Sequence, residues 1–281
     1  MGTLYVVGTP IGNLEDITLR ALRVLREVGL IAAEDTRRTR KLLARYDIHT
    51  PLTSYFEHNK LTKLDTILAA LREKDVALVS EAGMPGLSDP GYELIRAAIE
   101  AGVPVVPVPG PSAPITALVV SGLPTDSFTF LGFLPRRAQE RRQLLQSVVN
   151  EPRTLVAFEA PHRLLKALED IVAILGDRPL AVVREVTKLH EEVWRGTARE
   201  AIAWFTEHPP RGEFTLVIGG ATEPEPWDEA RVRAEIERLL AEGVSHREAV
   251  KIVAEASGWP RREVYRLALN HPPAGLEPAG G

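Results

Sequence analysis

The chain of 281 residues contains no cysteine. That excludes disulfides, thiolate metal sites and a cysteine nucleophile. Asparagine and glutamine together number seven, and lysine seven against 27 arginines, a balance compatible with a GC-rich genome or a hot habitat. No uninterrupted apolar run approaches the roughly 20 residues that span a bilayer, so no transmembrane helix is expected. The opening MGTLYVVGTPIGN has no basic stretch ahead of its short apolar run. A secretory signal is therefore not expected, and the chain reads as cytoplasmic. Excess positive charge is also lacking. Thirty-four basic against 38 acidic residues leave a net charge of −4. A globally basic nucleic-acid binder is excluded, whereas a local basic patch is not. What is present, 44% hydrophobic and 26% charged residues, is the composition of a globular protein. The length suggests about two domains.

Short apolar runs at Leu4 to Val7, Leu30 to Ala33, Val76 to Val79 and Val103 to Val108 read as buried strands. Helical patterns separate them, as in Leu19, Leu22, Leu25 and Val28, which share one face. This alternation predicts a parallel α/β sheet over the first 120 or so residues. A break near Leu123-Pro124 introduces a second α/β unit. Its expected strands are 128–133, 154–158, 180–185, 193–197 and 214–218, and its helices 138–149, 164–175 and 199–205. A Pro/Glu linker at 221–226 leads to three helix patterns, 229–241, 245–255 and 261–269, compatible with a helix-turn-helix. Ser245 with Glu248 fits a capping box. The domains are read as 1–122, 123–220 and 227–270, with a frayed end.

Gly/Pro-rich loops follow three of the strands: Gly8 to Asn13, Ser80 to Gly91 and Pro109 to Ala113. In open α/β sheets ligands bind beyond the carboxyl ends of strands, so these loops are candidates for a shared site. None is a G-x-G-x-x-G or Walker-type phosphate loop. The loop 80–91 exceeds what a connection needs, which favours ligand binding over an ordinary surface turn with Asp89 capping the next helix. Two cation clusters stand out, Arg37, Arg38, Arg40 and Lys41 after Glu34-Asp35, and Arg136, Arg137, Arg141 and Arg142. Each reads either as a nucleic-acid backbone contact or as a solvated helix face; for the first cluster the solvated reading makes Asp35 or Thr36 the N-cap. His58 and His162 sit beside aromatics without an identifiable partner, and His190-Glu191-Glu192 lacks the H-E-x-x-H pattern, so no metal is expected.

Taken in order, VVGTPIGNLEDIT (6–18), AAEDTRRTRKLL (32–43), SYFEHN (54–59), SEAGMPGLSDPG (80–91), PGPSA (109–113), FLGFLPR (130–136), FEAPHR (158–163), REVTKLHEE (184–192) and GEFTLVI (212–218) resemble one family closely. The chain is similar to the bacterial 16S rRNA cytidine 2′-O-methyltransferase branch of the tetrapyrrole methylase family. The resemblance implies two α/β domains with S-adenosylmethionine in the cleft between them, a small C-terminal helical module, a homodimer and no metal. It places the cofactor against Pro10 and Ile11, Gly83, Met84 and Leu87, Ser112 and Ala113, Phe158, and Phe214-Thr215. Many relatives carry Gly-Asp-Pro where this chain has Gly83-Met84-Pro85, so backbone contacts must serve there. Ala160 stands where a serine might supply a hydroxyl.

A ribose hydroxyl is a poor nucleophile, so a general base is expected near the cofactor. The candidates are Glu34, Asp35 and Glu57, or Lys188 if burial depresses its pKa. Arg37, Arg38, Arg40, Lys41, Arg136, Arg137 and cations of the tail are the candidate grip on rRNA or a small ribosomal subunit. Two other functions fit less well. A small-molecule tetrapyrrole methyltransferase would not need the basic segments and tail. A non-catalytic ribosome-assembly factor would not need elaborate loops at three strand ends.

Overall fold

The apolar runs of the first half form parallel strands, and helices cover both faces of the sheet they build. The computed structural model describes residues 1–56, 60–222 and 227–269. Glu57, His58, most of the Pro/Glu linker and the C-terminal residues expected to fray lie outside the described residues. The chain divides into two compact units, 1–221 and 222–281.

The first unit begins with β1 (Leu4–Val7), α1 (Leu19–Glu27), β2 (Leu30–Ala33), α2 (Thr36–Arg45), β3 (Leu52–Ser54), α3 (Lys60–Leu71), β4 (Val76–Val79), α4 (Tyr92–Glu100), β5 (Val105–Val108) and α5 (Ala113–Ser121). The strands pair in the order β3-β2-β4-β1-β5, all parallel. Side chains alternate between faces. Val7, Ile31, Ala33, Ala77 and Val79 pack with Leu22 and Leu25 of α1 and Leu42 and Leu43 of α2. Leu4, Ala32, Val76 and Leu78 pack with Ile67 and Leu71 of α3 and Leu94 of α4. The strand at 52–54 was not expected from the sequence. It is a three-residue edge strand behind Pro51, only half-buried, and too short to show a pattern.

The second sheet contains β6 (Phe128–Phe133), β7 (Thr154–Glu159), β8 (Pro179–Arg184), β9 (Glu192–Thr197) and β10 (Phe214–Ile218), in the order β6-β7-β10-β8-β9. Only β6 and β7 pair in parallel; the other neighbours are antiparallel. Helices α6 (Ala138–Ser147), α7 (Leu164–Leu175) and α8 (Ala198–Glu207) cover one face. The other face takes α5, whose Ala117 and Leu118 are buried against Val156, Ala181, Val183 and Val217. The last helix of the parallel half thus packs beneath the second sheet.

The second unit has α9 (Glu229–Ala241), α10 (His246–Ser257) and α11 (Arg261–Leu269). Val232, Ile236, Val253, Val264 and Leu267 form its own core. Ser245 accepts from the Glu248 amide, and Gly258 ends α10 in the left-handed region. Trp259 Nε1 donates to the Trp227 carbonyl at 2.7 Å.

The second cation cluster is not uniformly a solvated face. Arg141 is buried and holds Asp170 through both Nε and a terminal nitrogen, at 2.8 and 2.6 Å. Arg142 reaches the other oxygen at 2.7 Å. Burial alone would raise the Asp170 pKa, but Arg142 and Arg141 outweigh it and hold the carboxyl below the usual aspartate range. Both Arg141 nitrogens converge on Oδ2 and Arg142 takes Oδ1, so each carboxylate oxygen has a charge-assisted hydrogen bond. We expect Asp170→Ala to cost about 3–5 kcal/mol in denaturant unfolding, because it strands a buried cation. Arg23→Ala, which breaks an exposed pair on α1, should cost at most about 0.5 kcal/mol. The folded pKa of Asp170 lies below its unfolded value. Its contribution is therefore present at neutral pH and lost as the pH falls through the depressed value.

Candidate active site

Because β1 lies between β4 and β5, the loops that follow these three strands emerge side by side. They are tied at the main chain. Thr9 and Gly83 exchange two backbone hydrogen bonds, at 2.9 and 3.1 Å. Gly8 faces Gly110 so closely that a Cβ on either would meet the other's backbone at 2.8 Å. Neither position has room for a side chain. The loop 80–91 is irregular, with Gly83, Gly86 and even Ser88 at positive φ. Such conformations persist only where the surroundings impose them.

These loops enclose a cavity of about 870 Å³ together with residues of the second sheet. The first loop supplies Thr9, Pro10 and Ile11, the second Ser80, Met84, Leu87 and Asp89, and the third Ser112 and Ala113. From the second sheet come Phe158, Glu159, Val183, Phe214 and Thr215, and from the segment after β8 Val186 and Lys188. Helix α2 contributes Arg38, Lys41 and Leu42. The two halves touch at Gly12, where a Cβ would meet Lys188 Cγ at 2.4 Å. There the Asn13 amide donates to Thr187 Oγ1 at 3.2 Å. Phe133 is 56% exposed at this cavity and leans on Phe158, with ring centroids 5.1 Å apart.

All ten residues that the resemblance assigned to the cofactor line this one cavity: Pro10, Ile11, Gly83, Met84, Leu87, Ser112, Ala113, Phe158, Phe214 and Thr215. The candidate bases are dispersed. Asp35 is the N-cap of α2 and accepts from the Arg37 and Arg38 amides. Hydrogen bonds from Arg37 hold its carboxyl below the usual range. Glu34 is half-buried and accepts the Glu81 amide at 3.0 Å; burial raises its pKa, and it is not among the residues lining the cavity. Lys188 lines the cavity between Glu185 and Glu213, each 3.0 Å away. Burial alone would lower its pKa, but those two carboxylates reverse the effect and keep it above the usual lysine range. It is a cation, not a base. Glu57 lies outside the described residues.

Of the candidate cations, Arg38 and Lys41 line the cavity, and Arg38 pairs with Glu81. Arg40 points to solvent, and Arg37 pairs with Asp35. Arg136 and Arg137 are exposed beyond β6, with Arg137 paired to Glu140, and they do not line the cavity. Among the described residues no cluster of histidine and carboxylate side chains is arranged to hold a metal ion. Likewise, no described helix is long and apolar enough to cross a membrane.

Asp89 is the site residue that sequence reasoning missed. It does not cap α4, whose N-cap is Gly91 without a side-chain hydrogen bond. It lines the cavity instead, where burial and the nearby Glu34 push its carboxyl up to about 6; the Ser80 hydroxyl lowers it and Glu81 raises it further.

Residues 3–202 match the family model for Tetrapyrrole (Corrin/Porphyrin) Methylases. The chain belongs to the tetrapyrrole methylase family. Residues 228–271 match a second model, the RsmI C-terminal HTH domain. A Synechocystis protein named ribosomal RNA small subunit methyltransferase I is 51% identical over 273 residues, 96% of this chain and 98% of the relative. A Bacillus subtilis protein of the same name is 45% identical, over 94% of this chain and 93% of the relative. Among solved structures, a uroporphyrin-III-C-methyltransferase from Thermus thermophilus is 26% identical over 78% of this chain and 94% of its own, with a TM-score of 0.54. Cobalt precorrin-4 methyltransferase, 20% identical with a TM-score of 0.57 over 79% of this chain and 96% of its own, shares the tetrapyrrole methylase fold.

The raised pKa of Asp89 has a signed consequence. Between its unfolded value of 3.8 and about 6 the folded protein holds the proton more tightly, so stability falls as the pH rises through that window. We expect Asp89→Asn to melt higher than wild type at pH 8, with the advantage shrinking as the pH falls below about 6. Thermal denaturation across pH checks it, and a constant difference would refute the buried charge.

Proposed function

We propose that this chain transfers the methyl group of S-adenosylmethionine to the ribose 2′ hydroxyl of a cytidine in small-subunit rRNA. The observation that carries the reading is the placement of Arg38 and Lys41 on the wall of the cavity enclosed by the strand-end loops. A pocket for a small cosubstrate and a grip for a phosphate backbone thus share one wall. The relatives that match nearly the whole chain carry the name of small-subunit rRNA methyltransferases, which supports RNA over a tetrapyrrole as the acceptor.

The lining fits S-adenosylmethionine. Ile11, Met84, Leu87, Val183 and Phe214 offer apolar surface for the adenine. Ser112 stands at the N-terminus of α5 with no capping hydrogen bond from its side chain, which leaves hydroxyl and backbone donors for a carboxylate. When bound, the cofactor supplies an electrophilic methyl group. The protein supplies position, by holding the ribose oxygen in line with that methyl and excluding water. Phe133 presents an exposed ring on which an unstacked base can rest. The ten lining residues assigned above hold the cofactor, and Arg38, Lys41, Arg40 and the more distant Arg136 and Arg137 hold RNA. The enzyme works in the cytoplasm, as a homodimer, on the small ribosomal subunit, and no metal takes part.

Incubation with labelled S-adenosylmethionine and small subunits from a strain lacking the enzyme should place 2′-O-methylcytidine in the rRNA. Cofactor binding with no labelled rRNA would contradict the reading. Lys41→Ala should weaken RNA binding and flatten the slope of log affinity against log salt by about 1. Arg153→Ala, whose guanidinium is held by Glu151, should leave both unchanged.

A further inference from the structure

Four carboxylates line the cavity among the described residues: Glu81, Asp89, Glu159 and Glu213. Three are committed to cations. Glu81 pairs with Arg38, Glu159 with Arg163 at 2.6 Å, and Glu213 with Lys188 at 3.0 Å. Protonating Glu81 or Glu213 would forfeit an ion pair, and Glu159, although burial raises its pKa, has a side chain with no exposed surface. Asp89 has no ion pair among the described residues.

We propose that Asp89 is the general base of methyl transfer, taking the proton of the ribose 2′ hydroxyl as its oxygen attacks. The assignment rests on the rRNA reading above. The oxygen forms a bond to the methyl carbon, the carbon–sulfur bond breaks with its electron pair going to sulfur, and the proton goes to a carboxylate oxygen of Asp89. Position supports this. Asp89 sits on the same wall as Ser80 and Met84, in the loop that follows β4, and α2 brings Arg38 and Lys41 to that cavity. A phosphate on those cations delivers the adjoining ribose to the side of the cavity that holds Asp89. The groups facing it are Glu34 at the end of β2, and Ser80 and Glu81 at the end of β4, with Arg38 of α2 bound to Glu81. Their joint effect, and burial above all, leaves a carboxyl that is ionised at neutral pH yet more basic than an exposed aspartate. That is the range in which a general base is most effective.

The test compares wild type, Asp89→Asn and Asp89→Glu. Calorimetry measures S-adenosylmethionine affinity, filter binding measures RNA affinity, and single-turnover methylation is followed from pH 5 to 9. Wild type should show a rate that rises with pH along an acid limb. Asp89→Asn should bind both ligands within about threefold of wild type, lose on the order of 10²–10⁴ in rate and lose the acid limb. Asp89→Glu should recover part of the rate. Undiminished turnover in Asp89→Asn overturns the assignment, as does a slow variant that keeps the wild-type limb. A tenfold loss of cofactor affinity at unchanged rate overturns it too, in favour of a binding role. Wild type that binds cofactor but labels no rRNA overturns the rRNA reading, and this assignment with it.

Discussion

The site depends on the neighbourhood of three main-chain segments. Strand order puts β1 between β4 and β5, so the loops that leave those strands meet. They meet at backbone distance, through the exchanged hydrogen bonds of Thr9 and Gly83 and the side-chain-free contact of Gly8 with Gly110. Met84, Ser112 and Ile11 then face one space although they are far apart in sequence. Placing α5 under the second sheet carries the constraint across the molecule. The loop that starts this helix lines the cavity, and Phe158, Val183 and Thr215 of the sheet above it close the other wall.

Charge is arranged in the same economical way. Most ionisable groups around the cavity neutralise one another, as Lys188 does between Glu185 and Glu213 and Arg38 with Glu81. Elsewhere an ion pair serves packing, as where Arg141 joins α6 to α7 through Asp170. Two lining groups fall outside this pattern. Lys41 is exposed and without an ion pair among the described residues, and Asp89 is half-buried with its carboxyl raised. One suits an anion arriving from outside and the other suits proton transfer within.

Much of this was legible in the sequence. Apolar runs such as Val76 to Val79 announce buried strands because both faces must be covered, and the loops after them announce a ligand. The ordered motifs picked out ten residues, distant in sequence, that line one cavity. What was hidden depended on tertiary pairing. Nothing local says that Arg141 turns inward to Asp170 while Arg142 beside it stays largely exposed. Nothing local says that Lys188 has two carboxylates, one of them 25 residues away. The loop 80–91 reads as a ligand loop, but the sequence offers Asp89 itself no role beyond a helix cap in the less favoured alternative. The left-handed turn at Ser88 and the Gly91 cap leave it on the cavity wall instead. Strand β3 escaped because three half-buried residues carry no periodic signal.

A crystal structure with S-adenosylhomocysteine bound reads the central relation between fold and ligand most directly. Density for the ligand should lie in the cavity between the two sheets, against Ile11, Met84 and Ser112 on one side and Phe158 and Thr215 on the other. Density outside that cavity, or contact with only one of the two sheets, would contradict it.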